Sequence, residues 1–600
     1  MDYGKIQNLP LLFLDQAEVY GDAPFLWWKQ DDAWRSMSWR EVSDRAKALS
    51  RGLRALGLKA GDRVGLVSEN RPEWMIADLA VMAARGITTP AYTTNTVDDH
   101  VHILSDSGAK FVFVSSAKLA ERVVPAAIRS NCDAVITMEP VDHPPDQNVR
   151  TILWDDVIEQ GKAMPDDVRD EAALSNREDT CCIIYTSGTG GVPRGVMLSH
   201  GAMICNVMGA HDALSELPGY ADGGEIFLSF LPLSHSYEHT CGQFFPVATG
   251  AQIYYAESID RLVGNIAEVR PTIMPAVPRL YEAMRGRILR GVEHASGLKT
   301  AMFTKALELG RKRYETPEAM TLSERLMDAV LERLVREKVR QRFGGRLKAF
   351  VSGGAPLNYD VGLFFLALGL RVMQGYGQTE AAPVISVNRY GKNKLHTVGP
   401  PLDGVEIRIA EDGEILVRGE LVMNGYWNKP EATAEVLQNG WLHTGDIGEL
   451  DEDGYLKITD RKKDIIVNSG GDNVSPQRVE GMLMLEPEIA QVMVFGDKRP
   501  NLVGLIVVDE EFVQSWAKQQ KKPGGYKALV EDGELRSVVS KAVDRVNERL
   551  SVIEKVRNFA IVAEPFTVEN AMLTPSMKIR RHIITEAYMD TILDLYGGSS

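Results

Sequence analysis

The sequence predicts an α/β protein built from more than one domain, and three observations carry that expectation. Six hundred residues exceed what one hydrophobic core serves, so at least two domains, in three or four subdomains, are expected. Short apolar runs alternate with helical periodicities up to residue 352, the pattern of parallel sheets covered on both faces. From residue 397 the pattern changes to strand-period alternation around tight turns, and a fresh unit opens after residue 464.

The elements follow in order. Ser38 and Glu41 form a capping box, and Val42, Ala46, Leu49, Leu53 and Leu56 recur at helical spacing, which predicts a helix over 38–56. Gly57 and Gly61 end it, and 63–68 reads as a strand. A helix over 72–84 and a strand over 111–114 follow. The apolar run 181–184 reads as a short buried strand, and further strands are expected at 226–232, 272–277 and 347–352. The stretch 281–343, dense in Arg, Lys and Glu, reads as a solvated helical hairpin. Residues 404–409 and 414–419 alternate around the turn 411–413, the signature of a compact antiparallel barrel or sheet. In the last unit, 491–495 and 502–508 read as strands.

Composition excludes several classes. The apolar fraction of 44% and charged fraction of 25% are those of an ordinary globular protein. A formal net charge of −15 argues against nucleic acid as the partner, although a local cluster can still bind a nucleotide. Cys132, Cys181, Cys182, Cys205 and Cys241 contain no CxxC pair and read as free thiols of a reducing compartment. The apolar segment 9–14 is too short for a signal peptide and is closed by Asp15. The longest apolar stretch, 362–370, falls far short of the ~20 residues that cross a bilayer. A cytoplasmic protein is expected; peripheral contact with the inner membrane surface and a homodimer stay open.

The segment YTSGTGGVPRG, residues 185–195, is the most chemical part of the chain. Its glycines let backbone amides turn toward a ligand, Thr186, Ser187 and Thr189 add hydroxyls, and Arg194 adds a cation. Together they suit a polyphosphate. It is neither a Walker loop, since Val196 follows Gly195, nor a dinucleotide loop, since Pro193 stands where the third glycine belongs. A flexible surface loop is the plain alternative. In YGQTE, 376–380, Tyr376 offers a face for a base, Thr379 a hydroxyl and Glu380 a carboxylate for Mg²⁺, although a turn with an exposed glutamate would look the same. GGAPL, 353–357, offers a backbone wall. In HTGD, 443–446, Asp446 is suited to ribose hydroxyls, and DRKKD, 460–464, adds Arg461, Lys462 and Lys463 or is a solvated charge run. HSYEH, 235–239, lacks the HExxH spacing of a zinc site and reads as a pocket wall with His235 facing a ligand. LTPSMKIRR, 573–581, puts Lys578 in a basic turn.

Those motifs, in their order along the chain, resemble the adenylate-forming (AMP-binding) superfamily from about residue 20 onward. Within it, 270–282, the long helical stretch and SGGDNVSP (469–476) make the chain most similar to long-chain fatty acyl-CoA synthetases. The resemblance implies a large N-terminal domain, 1–460, of two α/β subdomains and a β-barrel-like subdomain. A hinge at 461–463, with Lys463 at the family's hinge position, and a small mobile α+β lid domain, 464–600, complete it. It implies fatty acid, ATP, Mg²⁺ and coenzyme A, reacting through an acyl-adenylate with release of pyrophosphate and then AMP.

By the same resemblance, Thr186, Ser187, Gly188, Thr189 and Gly191, with Arg194, would hold the β- and γ-phosphates. Glu380 would bind Mg²⁺, with Thr189 a second candidate metal contact, and Thr379 a phosphate oxygen. Tyr376 with Gly354, Ala355 and Pro356 would form the adenine pocket; Asp446 and Arg461 would take the ribose. Lys578 would bridge acyl carboxylate and α-phosphate. Ser469 and Gly470 would line the pantetheine tunnel, and His235 and Val277 would sit near the acyl tunnel. The chain departs from the family in having Gly190 for threonine and Arg194 for lysine. A fatty acyl-AMP ligase that loads a carrier protein, and a non-catalytic nucleotide-binding protein, remain alternatives.

Overall fold

The computed structural model describes residues 2–141, 149–186, 192–293, 297–462, 464–470, 472–568, 570–574 and 578–597, Glu293 by its backbone alone. Two eight-stranded sheets form the body of the molecule. In the first, the strands Ile87–Ala91, Arg63–Val67, Ala109–Val114, Ala134–Thr137 and Arg150–Leu153 run parallel, and Thr180–Thr186 joins them beside Ile87–Ala91. Antiparallel Arg194–Ser199 and Gly425–Tyr426 extend that edge. In the second sheet, Pro24–Gln30, Gln252–Tyr255, Ile226–Ser229, Ile273–Ala276, Ala349–Ser352 and Val372–Gly377 run parallel. Val384–Val387 and Ala33–Ser38 close its two edges in antiparallel fashion.

The helices between these strands form where sequence and burial agree. Trp39–Ala55 starts on the Ser38–Glu41 capping box and buries Val42, Ala46, Leu49 and Leu53. Pro72–Ala83 is buried on all sides between neighbouring layers, which is why almost every one of its residues is apolar.

The β-rich segment is a five-stranded antiparallel sheet in which Glu406–Ile409, Glu414–Arg418 and Trp441–Leu450 are neighbours and Leu456–Arg461 pairs with Trp441–Leu450. Beyond it, Ile489–Phe495, Leu502–Val508 and Val556–Ile561 form a three-stranded sheet with hydrophobic clusters of its own on both faces.

The stretch expected as a solvated hairpin is different. Its described residues include Pro278–Glu293, Gly297–Glu315 and a continuous helical rod made of Leu322–Leu331, a π-helical turn Glu332–Arg336, and Glu337–Arg342. Arg336 in that rod is wholly buried. It pairs with Asp328 at 2.6 Å and donates to the carbonyls of Ala306 and Ala367. Those acceptors lie in other helices, so an interior arginine looked like a surface one. The strand expected at 226–232 ends at Ser229. All five cysteines are free, and all but Cys241 are buried.

Candidate active site

The loops that follow the carboxyl ends of parallel strands are where an open α/β sheet presents a ligand site. Here Val277 follows Ile273–Ala276, Gly353 and Gly354 follow Ala349–Ser352, and Gln378 to Glu380 follow Val372–Gly377. His235 lies in the segment after Ile226–Ser229. Sequence-distant motifs are thus gathered at one edge by topology. Gly354 has φ +80°, and a Cβ at Gly377 would lie 1.9 Å from the Pro383 carbonyl oxygen, so both positions require glycine.

The two strands that flank residues 187–191 pair antiparallel, with Thr186 opposite Arg194 and Tyr185 opposite Gly195. Helix His200–Ser215 begins only beyond the second strand. The pair is held from outside: Tyr185 Oη donates to Asp106 at 2.7 Å, Trp427 N–H to Gly195 O at 2.8 Å, and His102 Nε2 to Pro193 O at 2.8 Å. Ser187, Gly188, Thr189, Gly190 and Gly191 lie outside the described residues, as does Lys463.

Arg194 stacks on the ring of Tyr426, 5.5 Å from its centroid, and Tyr426 Oη donates to Glu380 Oε1 at 2.9 Å. Tyr426 is placed by the short strand that pairs with Val196. Burial, and then Glu380, push its hydroxyl up, so it stays a donor. Among the described residues no other donor reaches the Glu380 carboxylate, which leaves Oε2 for a cation. No group of three or more His, Cys, Asp or Glu side chains that could hold a metal occurs among the described residues. One carboxylate suits Mg²⁺, which completes its shell with water and phosphate oxygens. Ser236, buried, lies 3.0 Å from Thr379, hydroxyl to hydroxyl.

On the facing wall, Asp446 and Arg461 are cross-strand partners, with Arg461 Nε 3.2 Å from Asp446 Oδ1. Tyr376 Oη donates to the other oxygen, Oδ2, at 2.6 Å. Burial followed by Asp446 raises the Tyr376 hydroxyl well above its ordinary range, so the proton stays on the tyrosine. Glu414 supports the turn below by accepting from Gly445 N–H at 2.9 Å.

Lys578 stands on a two-stranded turn in which Lys578 N–H donates to Thr574 Oγ1 at 3.0 Å. Its side chain opens into the cleft, and the cleft walls crowd it at longer range. That enclosure, with the nearby Arg461 charge, lowers the amine to about 8 against the opposing pull of Asp446 and Glu380. Burial, and then Lys578, lower His235 to about 4, so its imidazole is neutral. The second histidine of that motif, His239, is buried against Asp78 at 2.8 Å and belongs to the core.

Thr186, Arg194, His235, Gly354, Ala355, Pro356, Tyr376, Thr379, Glu380, Asp446, Arg461 and Lys578 therefore line one cleft of about 3470 Å³. Val277 stands just behind it, 3.5 Å from where a Gly354 Cβ would be. Ser469 and Gly470 lie on an exposed turn outside its lining, their amides bonded to Arg499 O and Asn468 Oδ1. Tyr426, Ser236 and Glu414 escaped the sequence reading. Each is brought in by long-range pairing.

Comparison with known proteins agrees with the fold. The AMP-binding enzyme family matches residues 13–427, and the AMP-binding enzyme C-terminal domain matches 463–600. The chain is 33% identical to long-chain-fatty-acid–CoA ligase FadD15 of Mycobacterium tuberculosis over 94% of this chain and 93% of that one. It is 30% identical to the peroxisomal long chain acyl-CoA synthetase 6 of Arabidopsis thaliana over 93% and 81%. The adenylation domain of a carboxylate reductase from Mycobacterium chelonae shares the fold with a TM-score of 0.75 at 21% identity, over 98% of this chain and 91% of that one. The o-succinylbenzoate CoA synthetase of Bacillus subtilis, solved with its acyl-adenylate intermediate, superimposes with a TM-score of 0.67 at 20% identity, over 96% and 97%. The chain belongs to the AMP-binding enzyme family of adenylate-forming ligases.

Proposed function

We propose that this chain is a long-chain fatty acid–CoA ligase that forms an acyl-adenylate and then passes the acyl group to coenzyme A. The observation that carries the reading is the convergence of Arg194, Glu380, the Asp446–Arg461 pair and Lys578 on one cleft. Both close relatives described above are named for this activity.

In the first half-reaction a fatty carboxylate attacks the α-phosphate of ATP and pyrophosphate leaves. Tyr376 and the 354–356 wall hold the adenine, and Asp446, oriented by Tyr376 and Arg461, accepts the ribose hydroxyls. Arg194 and backbone amides, including those of Ser187, Gly188, Thr189 and Gly191, take the β- and γ-phosphates. Thr379, backed by Ser236, meets a phosphate oxygen. Mg²⁺ on Glu380 would neutralise phosphate charge. Protonated Lys578 stabilises the charge that develops between carboxylate and α-phosphate, a contribution typically on the order of 10²–10³ in rate. Neutral His235 lines the carboxylate end of the acyl site, with Val277 behind it.

In the second half-reaction the CoA thiol displaces AMP. We assign residues 1–460 to the N-terminal domain, 461–463 with Lys463 to a hinge, and 464–600 to a lid. Ser469 and Gly470 sit away from the cleft while Lys578 occupies it, the arrangement suited to adenylation. Rotation about the hinge would withdraw Lys578 and bring Ser469 and Gly470 to the pantetheine. No helix among the described residues is long and apolar enough to cross a membrane, and contact with a bilayer would be peripheral.

The test is AMP release across a panel of carboxylic acids, with and without CoA, together with Lys578→Ala. CoA-dependent AMP formation with C16-like acids, largely lost in the variant, is expected. Thioester formation from preformed acyl-adenylate should survive the substitution. AMP release only with a carrier protein would indicate the carrier-loading alternative, and absence of carboxylate-dependent ATP–pyrophosphate exchange would overturn the enzyme reading.

A further inference from the structure

The helical rod 322–342 separates its charges in an unusual way. Its acids Glu324, Asp328 and Glu332 are neutralised by Lys312, by Arg313 and Arg336, and by Arg340. Arg325, Arg333, Lys338 and Arg342 are exposed and form no ion pair among the described residues; Glu337 is the one acid on the outer side. Between these bases runs an apolar stripe open to solvent: Leu322 is 81% exposed, Leu326 72%, Met327 48%, Val330 51% and Leu334 42%. Five large apolar side chains on one continuous helical face are a patch rather than scattered exceptions.

We propose that this face docks on an anionic lipid bilayer. A helix with an apolar stripe and flanking Lys and Arg lies in the interfacial plane, apolar side down, with its cations against the headgroups. The net charge of −15 repels such a surface as a whole, so a local excess of three positive charges (four bases less Glu337) selects which face approaches. A second copy of the chain fits less well. A two-fold pairing would set Arg325, Arg333, Lys338 and Arg342 against the same charges of the partner. The inferred surface rests on geometry alone. Its purpose rests on the ligase reading, because a long-chain fatty acid resides in bilayers and the rod packs on Gly297–Glu315, which in turn packs on the cleft-lining helix Pro278–Glu293.

The experiment is co-sedimentation of the full chain with vesicles of phosphatidylglycerol and phosphatidylcholine, against phosphatidylcholine alone. Binding to the anionic vesicles that weakens with salt is expected. Arg333→Gln with Lys338→Gln should lower the partition coefficient on the order of thirty-fold, and Leu326→Gln with Val330→Gln on the order of tenfold or more. Both variants should keep parent activity on detergent-dispersed fatty acid, which shows that they fold. Equal partitioning of parent and variants, or no preference for anionic vesicles, overturns the proposal. A concentration-dependent dimer in sedimentation velocity that the Leu326→Gln variant abolishes also overturns it. Vesicle binding without acyl-CoA synthesis would sink the ligase reading and leave the surface intact.

Discussion

Lys578 gives the sharpest prediction because its charge, its enclosure by the cleft walls and its proposed role are coupled. The amine must be protonated to stabilise the adenylation transition state, and in the free protein enclosure and Arg461 lower it to about 8. A lysine is charged below its pKa, so adenylation should be lost as pH rises through that value. The protonated share falls from about nine-tenths at pH 7 to about one-tenth at pH 9, a roughly tenfold loss in kcat/KM for ATP. The assay is carboxylate-dependent ATP–pyrophosphate exchange between pH 6.5 and 10. kcat should hold to higher pH, because bound phosphates favour the ammonium form. Arg461→Gln removes the repelling charge and should move the kcat/KM limb upward, whatever it does to the rate itself. Thioester formation from preformed acyl-adenylate should lack this limb. A flat kcat/KM from pH 7 to 9.5 in an enzyme that Lys578→Ala silences would refute the reasoning, since the lysine would then act with an ordinary pKa.

Two other expectations follow from Tyr426 and Glu238. Tyr426→Phe removes the donor that orients Glu380; a hydrogen bond to a charged group contributes about 1.5–3 kcal/mol. The apparent affinity for the divalent cation should fall roughly tenfold, with kcat recovered at high Mg²⁺. A Mn²⁺ titration followed by electron paramagnetic resonance in the presence of ATP checks this, and an unchanged curve would count against it. Glu238, wholly buried with one oxygen accepting from Ser229 Oγ at 2.6 Å, is raised by burial from 4.5 to about 8. The native state keeps a proton that the unfolded chain gives up, so stability falls as pH rises from about 4.5 to about 8, at up to roughly 1.4 kcal/mol per pH unit. Glu238→Gln should flatten that dependence in thermal melts between pH 5 and 8; parallel curves for parent and variant would show that the carboxyl is ionised.

Local signals were legible where neighbours in sequence decide the outcome. The Ser38–Glu41 capping box, the alternation of 404–419 and the apolar run before Tyr185 each depend on residues within a turn or two, and each element formed. The 281–343 stretch was misread because the partners of Arg336 come from Ala306 and Ala367. Its spacing could not separate an inward charge from an outward one. The candidate site divides the same way. Glu380, Asp446 and Lys578 carry chemistry in their own motifs, whereas Tyr426 and Ser236 gain theirs only from contact with Glu380 and Thr379.

By itself, then, the sequence determined the alternating α/β frame, the later antiparallel sheet and the residue types able to handle a nucleotide, since periodicity and side-chain chemistry are local properties. Tertiary structure alone decided that these residues face one cleft and that Lys578 enters it at a lowered pKa. It also decided which charges of the 322–342 rod point to solvent. Those outcomes depend on strand order, enclosure and long-range partners, which a one-dimensional spacing does not contain.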